Sequence, residues 1–192
     1  MNRAVEALAN AFDVEHGGFA APPKFPSTMS LDLVLAAHLR TGDEGFARIV
    51  TTSLDAMASG GMYDHIGGGF ARYSVDREWL VPHFEKMLYD QALLVRVYAH
   101  AAAALDVPRW RQVVAETVGY VLRDLRQPGG AFSSAEDADS TGPDGHGHEG
   151  LFHTWTPEEV RAVLGPDADA AMAYYGITAA GNFEGRSIPN CL

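Results

Sequence analysis

The segment Gly60 to Asp90, GGMYDHIGGGFARYSVDREWLVPHFEKMLYD, concentrates side chains that could move protons or grip a polar ligand. Asp64 and His65 stand just before a triple glycine. A neutral imidazole held by a carboxylate is a base suited to pH 7; the alternative is that both residues bond the backbone of their own loop. His65 with Glu85 or Asp90 would form one side of an acid–base site. Arg72, Tyr73, Trp79 and His83, together with Asp64, are candidates for ligand contact, arginine for a carboxylate and the rings as flat faces with a polar edge. Lys86 and Asp90 lie four residues apart, a spacing for an ion pair that would brace the mouth of such a site.

A second acidic cluster, Glu136-Asp137-Ala138-Asp139, follows a Gly-Gly-Ala-Phe turn. Crowded carboxylates raise one another's pKa, so Glu136, Asp137 or Asp139 could supply the opposing general acid. The same cluster would suit a hard cation, a solvated loop or a helix cap. His146, His148 and His153 lack a carboxylate placed by a regular element, so neither a metal nor a cofactor is expected. No phosphate loop, HExxH or GxSxG motif supports nucleotide binding or serine hydrolysis. The single cysteine, Cys191, excludes an internal disulfide, a CxxC pair and a thiolate zinc cluster.

The elements that must position these groups read as helices. Apolar residues at helical spacing predict helices over 3–12, from Ser27 or Ser30 to Gly42, from Asp43 to Gly60, from His83 to Leu105 and from Val107 to Arg126. Shorter ones are expected from Thr156 to Gly165, opened by the capping box Thr156-Pro157-Glu158-Glu159, and over 167–175. The fourth helix is apolar on both sides beyond its first turns, so it should be buried on both flanks with only its N-terminus polar. Gly17-Gly18-Phe19, Gly68-Gly69-Phe70 and Gly129-Gly130-Ala131-Phe132 repeat one phrase, with the phenylalanines 51 and 62 residues apart. That period fits one helical hairpin per repeat.

The 192 residues are 47% hydrophobic and 20% charged, which excludes a disordered, collagenous or coiled-coil chain. With a net charge of −11, phosphate backbones and anionic membranes are poor partners. Met1 to Ala11 has no signal-peptide core and no apolar run approaches membrane-spanning length, so a cytoplasmic setting is expected.

The block from Tyr63 to Leu94, YDHIGGGFARYSVDREWLVPHFEKMLYDQALL, resembles the signature of the thioredoxin-domain-containing family of the spermatogenesis-associated type, found in bacteria and animals. GGFAAPPKFPS (17–27), FSSAEDADS (132–140), EGLFHTWTPEEV (149–160) and NFEGRSIP (182–189) are similar to further motifs of that family, in the same order. Glu149 and Trp155 fall on such motif positions, and Trp155 joins the ligand-contact candidates. The resemblance implies an all-α (α/α) toroid of helical hairpins, like six-hairpin glycosidases and N-acylglucosamine 2-epimerases. It is present over 1–192 as an incomplete ring, without the family's N-terminal thioredoxin-like domain and remaining hairpins. Two functions are then expected: a glycosidase- or epimerase-like carbohydrate enzyme, or a non-catalytic scaffold or ligand-binding module serving a thioredoxin-like domain.

Overall fold

The computed structural model describes residues 2–192, and seven α-helices run through them. They are α1 Asn2–Ala11, α2 Thr28–Thr41, α3 Glu44–Ser59, α4 Leu88–Leu105, α5 Pro108–Tyr120, α6 Pro157–Leu164 and α7 Ala168–Tyr174. A single π-helical turn, Val121–Leu125, extends α5. The punctuation is chemical. The Asp43 carboxylate accepts from the Gly45 N–H at 2.8 Å and opens α3. Thr156 and Glu159 complete their capping box at α6, and Pro108 takes the first turn of α5, where its missing N–H costs nothing. Gly42, at φ 70°, closes α2.

α1 packs on α2, α2 on α3 and α4, and α4 on α5, around a core that includes Leu31, Val34, Leu54, Met57, Leu94, Tyr98 and Trp110. A smaller cluster of Val160, Ala168, Met172 and Ile177 joins α6 to α7. The connections alternate in length: residues 42–43 and 106–107 are tight, whereas 12–27, 60–87 and 126–156 are long. In an up-and-down chain alternate connections share one end. The three glycine-aromatic phrases therefore meet at one rim.

Short antiparallel pairings lace that rim. Lys24 bridges Ser74; β1 (Tyr73–Ser74) pairs with β2 (Pro82–His83); β3 (Lys86–Met87) pairs with β4 (Ala135–Glu136); and Trp155 bridges Ser187. A hairpin of β5 (Asp139–Thr141) and β6 (Gly147–Glu149) projects from the third long loop.

Two expectations are corrected. Residues 83–87 are extended rather than helical, because their backbone groups pair with strands near 73 and 136, partners that a local periodicity does not contain. α4 is not buried on both flanks: Gln91, Leu94, Val97, Tyr98, Ala101 and Ala102 face the core, but Tyr89, Ala92, Arg96, Ala99, His100 and Ala103 are exposed.

The repeat has a structural content beyond its letters. In the first copy the Gly17 N–H donates to the Asp13 carbonyl and the Asp13 N–H to the Gly18 carbonyl; in the second, Gly68, Asp64 and Gly69 do the same. Gly17 (φ 71°) and Gly68 (φ 78°) are left-handed, and a Cβ there would come within 2.7 Å of Ser53 Cα and 2.6 Å of the Glu116 carbonyl oxygen. Only glycine fits. Each aspartate then receives a buried lysine from the next stretch of chain: Lys24 at 3.1 Å from Asp13 and Lys86 at 2.8 Å from Asp64. Each ammonium also sits over an aromatic ring, Trp79 at 5.0 Å and Tyr120 at 4.3 Å. The third copy makes a turn one residue shorter, with the Gly130 N–H donating to the Gln127 carbonyl, the Gln127 N–H to the Ala131 carbonyl, and Gln127 in place of the aspartate.

Candidate functional site

Residues 82–86 act as a partition wall. An extended chain sends successive side chains to opposite sides. Pro82, Phe84 and Lys86 line a cavity of about 810 Å³, while His83 and Glu85 do not.

On the cavity side the Asp64 carboxylate is fully matched. Asp64 accepts from the Ile66 and Gly67 N–H groups through Oδ1, while its Oδ2 receives the Lys86 ammonium. His153 Nδ1 lies 3.4 Å from the same Oδ2. Burial opposes the Asp64 charge, but the His153 and Lys86 contacts and the Gly67 N–H outweigh it and hold the carboxyl far below the usual range. Lys86 donates also to the Gly68 carbonyl at 3.1 Å. Tyr120 donates to Glu136 Oε2 at 2.5 Å, and burial together with that bond pushes the phenol up, so it stays protonated. His65 Nε2 is 3.0 Å from the Gly60 carbonyl oxygen, and burial lowers its pKa; it stays neutral at pH 7 and donates that proton to the carbonyl. Its Nδ1 is 3.8 Å from Cys191 Sγ.

The other side of the wall is open. Tyr73 stacks on His83 with ring centroids 5.0 Å apart, and Phe25 tilts onto Tyr73 at 4.9 Å. His83 Nδ1 meets Glu149 Oε1 at 2.8 Å. Arg72 Nη1 donates to Glu85 Oε2 at 3.1 Å, and Tyr89 in the first turn of α4 also engages Arg72. Beside them stands half-buried Asp90. Its Oδ2 and Arg72 Nε are sealed from water without a hydrogen-bond partner. Burial, aided by the Glu85 charge and opposed by Arg72, pushes the Asp90 carboxyl up to about 6. A carboxyl with that pKa holds or yields a proton near neutrality.

The sequence candidates thus divide. Asp64, His65, Glu136 and Trp155 line the cavity; Arg72, Tyr73, His83, Glu85 and Asp90 lie beyond the wall. His65 does not face Glu85 or Asp90. Lys86 pairs with Asp64, not Asp90, since β3 turns it away from the helix. Asp137 and Asp139 are exposed and line neither region; Asp137 accepts from the Asp139 N–H in a local turn. Trp79, expected at the ligand, is buried in the core beneath Lys24 and donates its indole N–H to the His16 carbonyl. Its large apolar face is used for packing, which removes it from ligand contact.

Phe25 and Tyr120 are not singled out by sequence reasoning, Tyr89 is noted only as one residue of the Gly60–Asp90 segment, and His153 is weighed only as a metal ligand, although it lies between Glu149 and Trp155 in one motif. Gly145-His146-Gly147-His148-Glu149-Gly150 does carry the spacing of a dinucleotide-binding glycine motif. It spans the tip and return strand of the β5–β6 hairpin, where no strand-to-helix turn presents N–H groups to a phosphate. No helix among the described residues is long and apolar enough to cross a membrane.

No family model matches the chain. It is 39% identical over 203 residues to spermatogenesis-associated protein 20 of Homo sapiens, covering 98% of this chain and 26% of that protein. An uncharacterized protein of Caenorhabditis elegans is 34% identical, over 94% of this chain and 27% of its own length. The chain spans about a quarter of the length of these relatives. Among solved structures it resembles a sugar epimerase from a ruminal bacterium (TM-score 0.63, 14% identity, 70% of this chain and 37% of that one). It likewise resembles the cellobiose 2-epimerase of Spirochaeta thermophila DSM 6192 (TM-score 0.62, 18% identity, 70% and 36%). The chain is mainly helical and has the fold of these epimerases over the matched part.

Proposed function

We propose that the chain forms part of an (α/α) toroid whose open face binds a carbohydrate, and that Asp90 exchanges a proton with it in an epimerase- or glycosidase-like reaction. Arg72 and Glu85 orient hydroxyl groups, and the stacked Tyr73 and His83 offer a platform for the apolar face of a sugar ring. Asp90 carries the reading. It stands in the first turn of α4 with one oxygen shut off from water and unanswered by any donor, beside an arginine whose Nε is likewise unanswered. Unpaired buried polar atoms are costly, so a fold that keeps two together is arranged for something else to meet them. The likeness to sugar epimerases supports the class of ligand through fold alone.

The test is NMR of reducing disaccharides and aryl glycosides incubated with the chain in D₂O. Deuterium uptake beside the sugar carbonyl, or glycoside cleavage, should fall by about 10²-fold or more in Asp90→Asn. Turnover unchanged in that variant would refute the role of Asp90. Sugar binding that Tyr73→Ala abolishes, without turnover in the unaltered chain, would favour the other reading, a ligand-binding module serving a thioredoxin-like domain in longer relatives.

A further inference from the structure

We infer that the cavity behind the wall is a second ligand site, separate from the open face, which takes a small organic ammonium ion carried on an apolar or aromatic body. The volume, about 810 Å³, falls within the range of small-molecule sites. Its walls include Met62, Phe84, Leu125, Leu151, Trp155 and Ile188, an apolar surround with ring faces.

The polar groups decide the sign of the guest, because each cation on the lining already has a carboxylate partner. Lys86 is held by Asp64 and the Gly68 carbonyl. Arg123 is held by Asp124 and the Gly67 carbonyl, and Arg186 by Thr154 and Glu159. The acceptors are not exhausted. Glu136 gives Oε2 to Tyr120, and no donor among the described residues meets its Oε1. His153 turns Nδ1 toward the Asp64 carboxylate at 3.4 Å. Four carboxylates, Asp64, Asp124, Glu136 and Glu159, face the three cations Lys86, Arg123 and Arg186 across the lining, and Glu136 is the one that none of the three meets. The aromatic faces of Phe84 and Trp155 on the lining favour the same sign. A carboxylate or phosphate guest would meet no cation that lacks a carboxylate partner and would add to the excess.

The test is isothermal titration of the 192-residue chain with 2-phenylethylammonium, 2-phenylethanol and phenylacetate, one body with three head groups. The ammonium ion should bind, the alcohol about ten-fold more weakly, and the carboxylate without detectable heat. Glu136→Gln, which keeps an acceptor for Tyr120, should weaken the ammonium ion about ten-fold, while Asp90→Asn leaves it unchanged. Equal or better binding of the alcohol or the carboxylate overturns the inference. So does an unchanged affinity in Glu136→Gln, or no binding by any of the three. If Glu136→Gln fails to fold, the head-group preference of the unaltered chain decides alone.

Discussion

The two sides of residues 82–86 are built from one loop yet treat charge in opposite ways. Toward the cavity, Asp64 meets Lys86, two backbone N–H groups and His153, and its carboxyl is held far below its ordinary pKa. Toward the open face, Asp90 keeps an oxygen without a donor and its carboxyl rises to about 6. The Asp64 arrangement recurs at Asp13 and Lys24, outside the cavity lining, with the same glycine turn and again an aromatic ring beneath the ammonium. A device that recurs outside the cavity is part of the architecture. Asp90 has no such copy. Fully answered charge therefore marks what fastens the rim, and unanswered charge marks where the rim acts.

The sharpest way to break this contrast is to remove a fastening. Lys86→Met leaves Asp64 without its ammonium partner and should cost about 3–5 kcal/mol of unfolding free energy in urea titration. Lys24→Met should cost less, about 1–2 kcal/mol, because Arg77 still donates twice to Asp13, each at 2.8 Å. Equal losses would show that the two copies do not differ in the way their partners imply.

The pH profile separates the same groups by sign. Asp13 and Asp64 have lowered pKa values, so their stabilisation is present above about pH 4 and is lost as pH falls through their folded values. Asp90 has a raised value, so its contribution is greatest below about pH 4 and is lost as pH rises to about 6. Unfolding free energy should climb out of acid and then dip as pH approaches 6. Asp90→Asn should remove the dip, a gain at pH 7.5 on the order of 1 kcal/mol once solvent screening is allowed for.

Much of this was legible in the residues. Asp43, Thr156 with Glu159, Pro108 and Gly42 mark helix ends by local chemistry, and the structure uses each that way. Ser27, an expected cap, makes no side-chain capping bond, its backbone being left-handed at φ 47°. The glycine-aromatic repeat was visible because only glycine fits its left-handed turns. What the sequence hid is long in range. The Asp64–Lys86 pair spans 22 residues, and the strand partners that pull 83–87 out of a helix lie as far away as Glu136. The acid–base candidates were named, but not which side of an extended segment each would take, since a side that alternates with every residue depends on register.

The account rests on Asp64 and Asp90 being opposite kinds of carboxylate. The direct test is the unfolding free energy of Asp64→Asn and Asp90→Asn, measured side by side at pH 7.5. Opposite signs are predicted, with Asp64→Asn losing several kcal/mol (about 3–5 for a broken buried pair) and Asp90→Asn more stable than the parent. Loss of stability in both, by similar amounts, would contradict it.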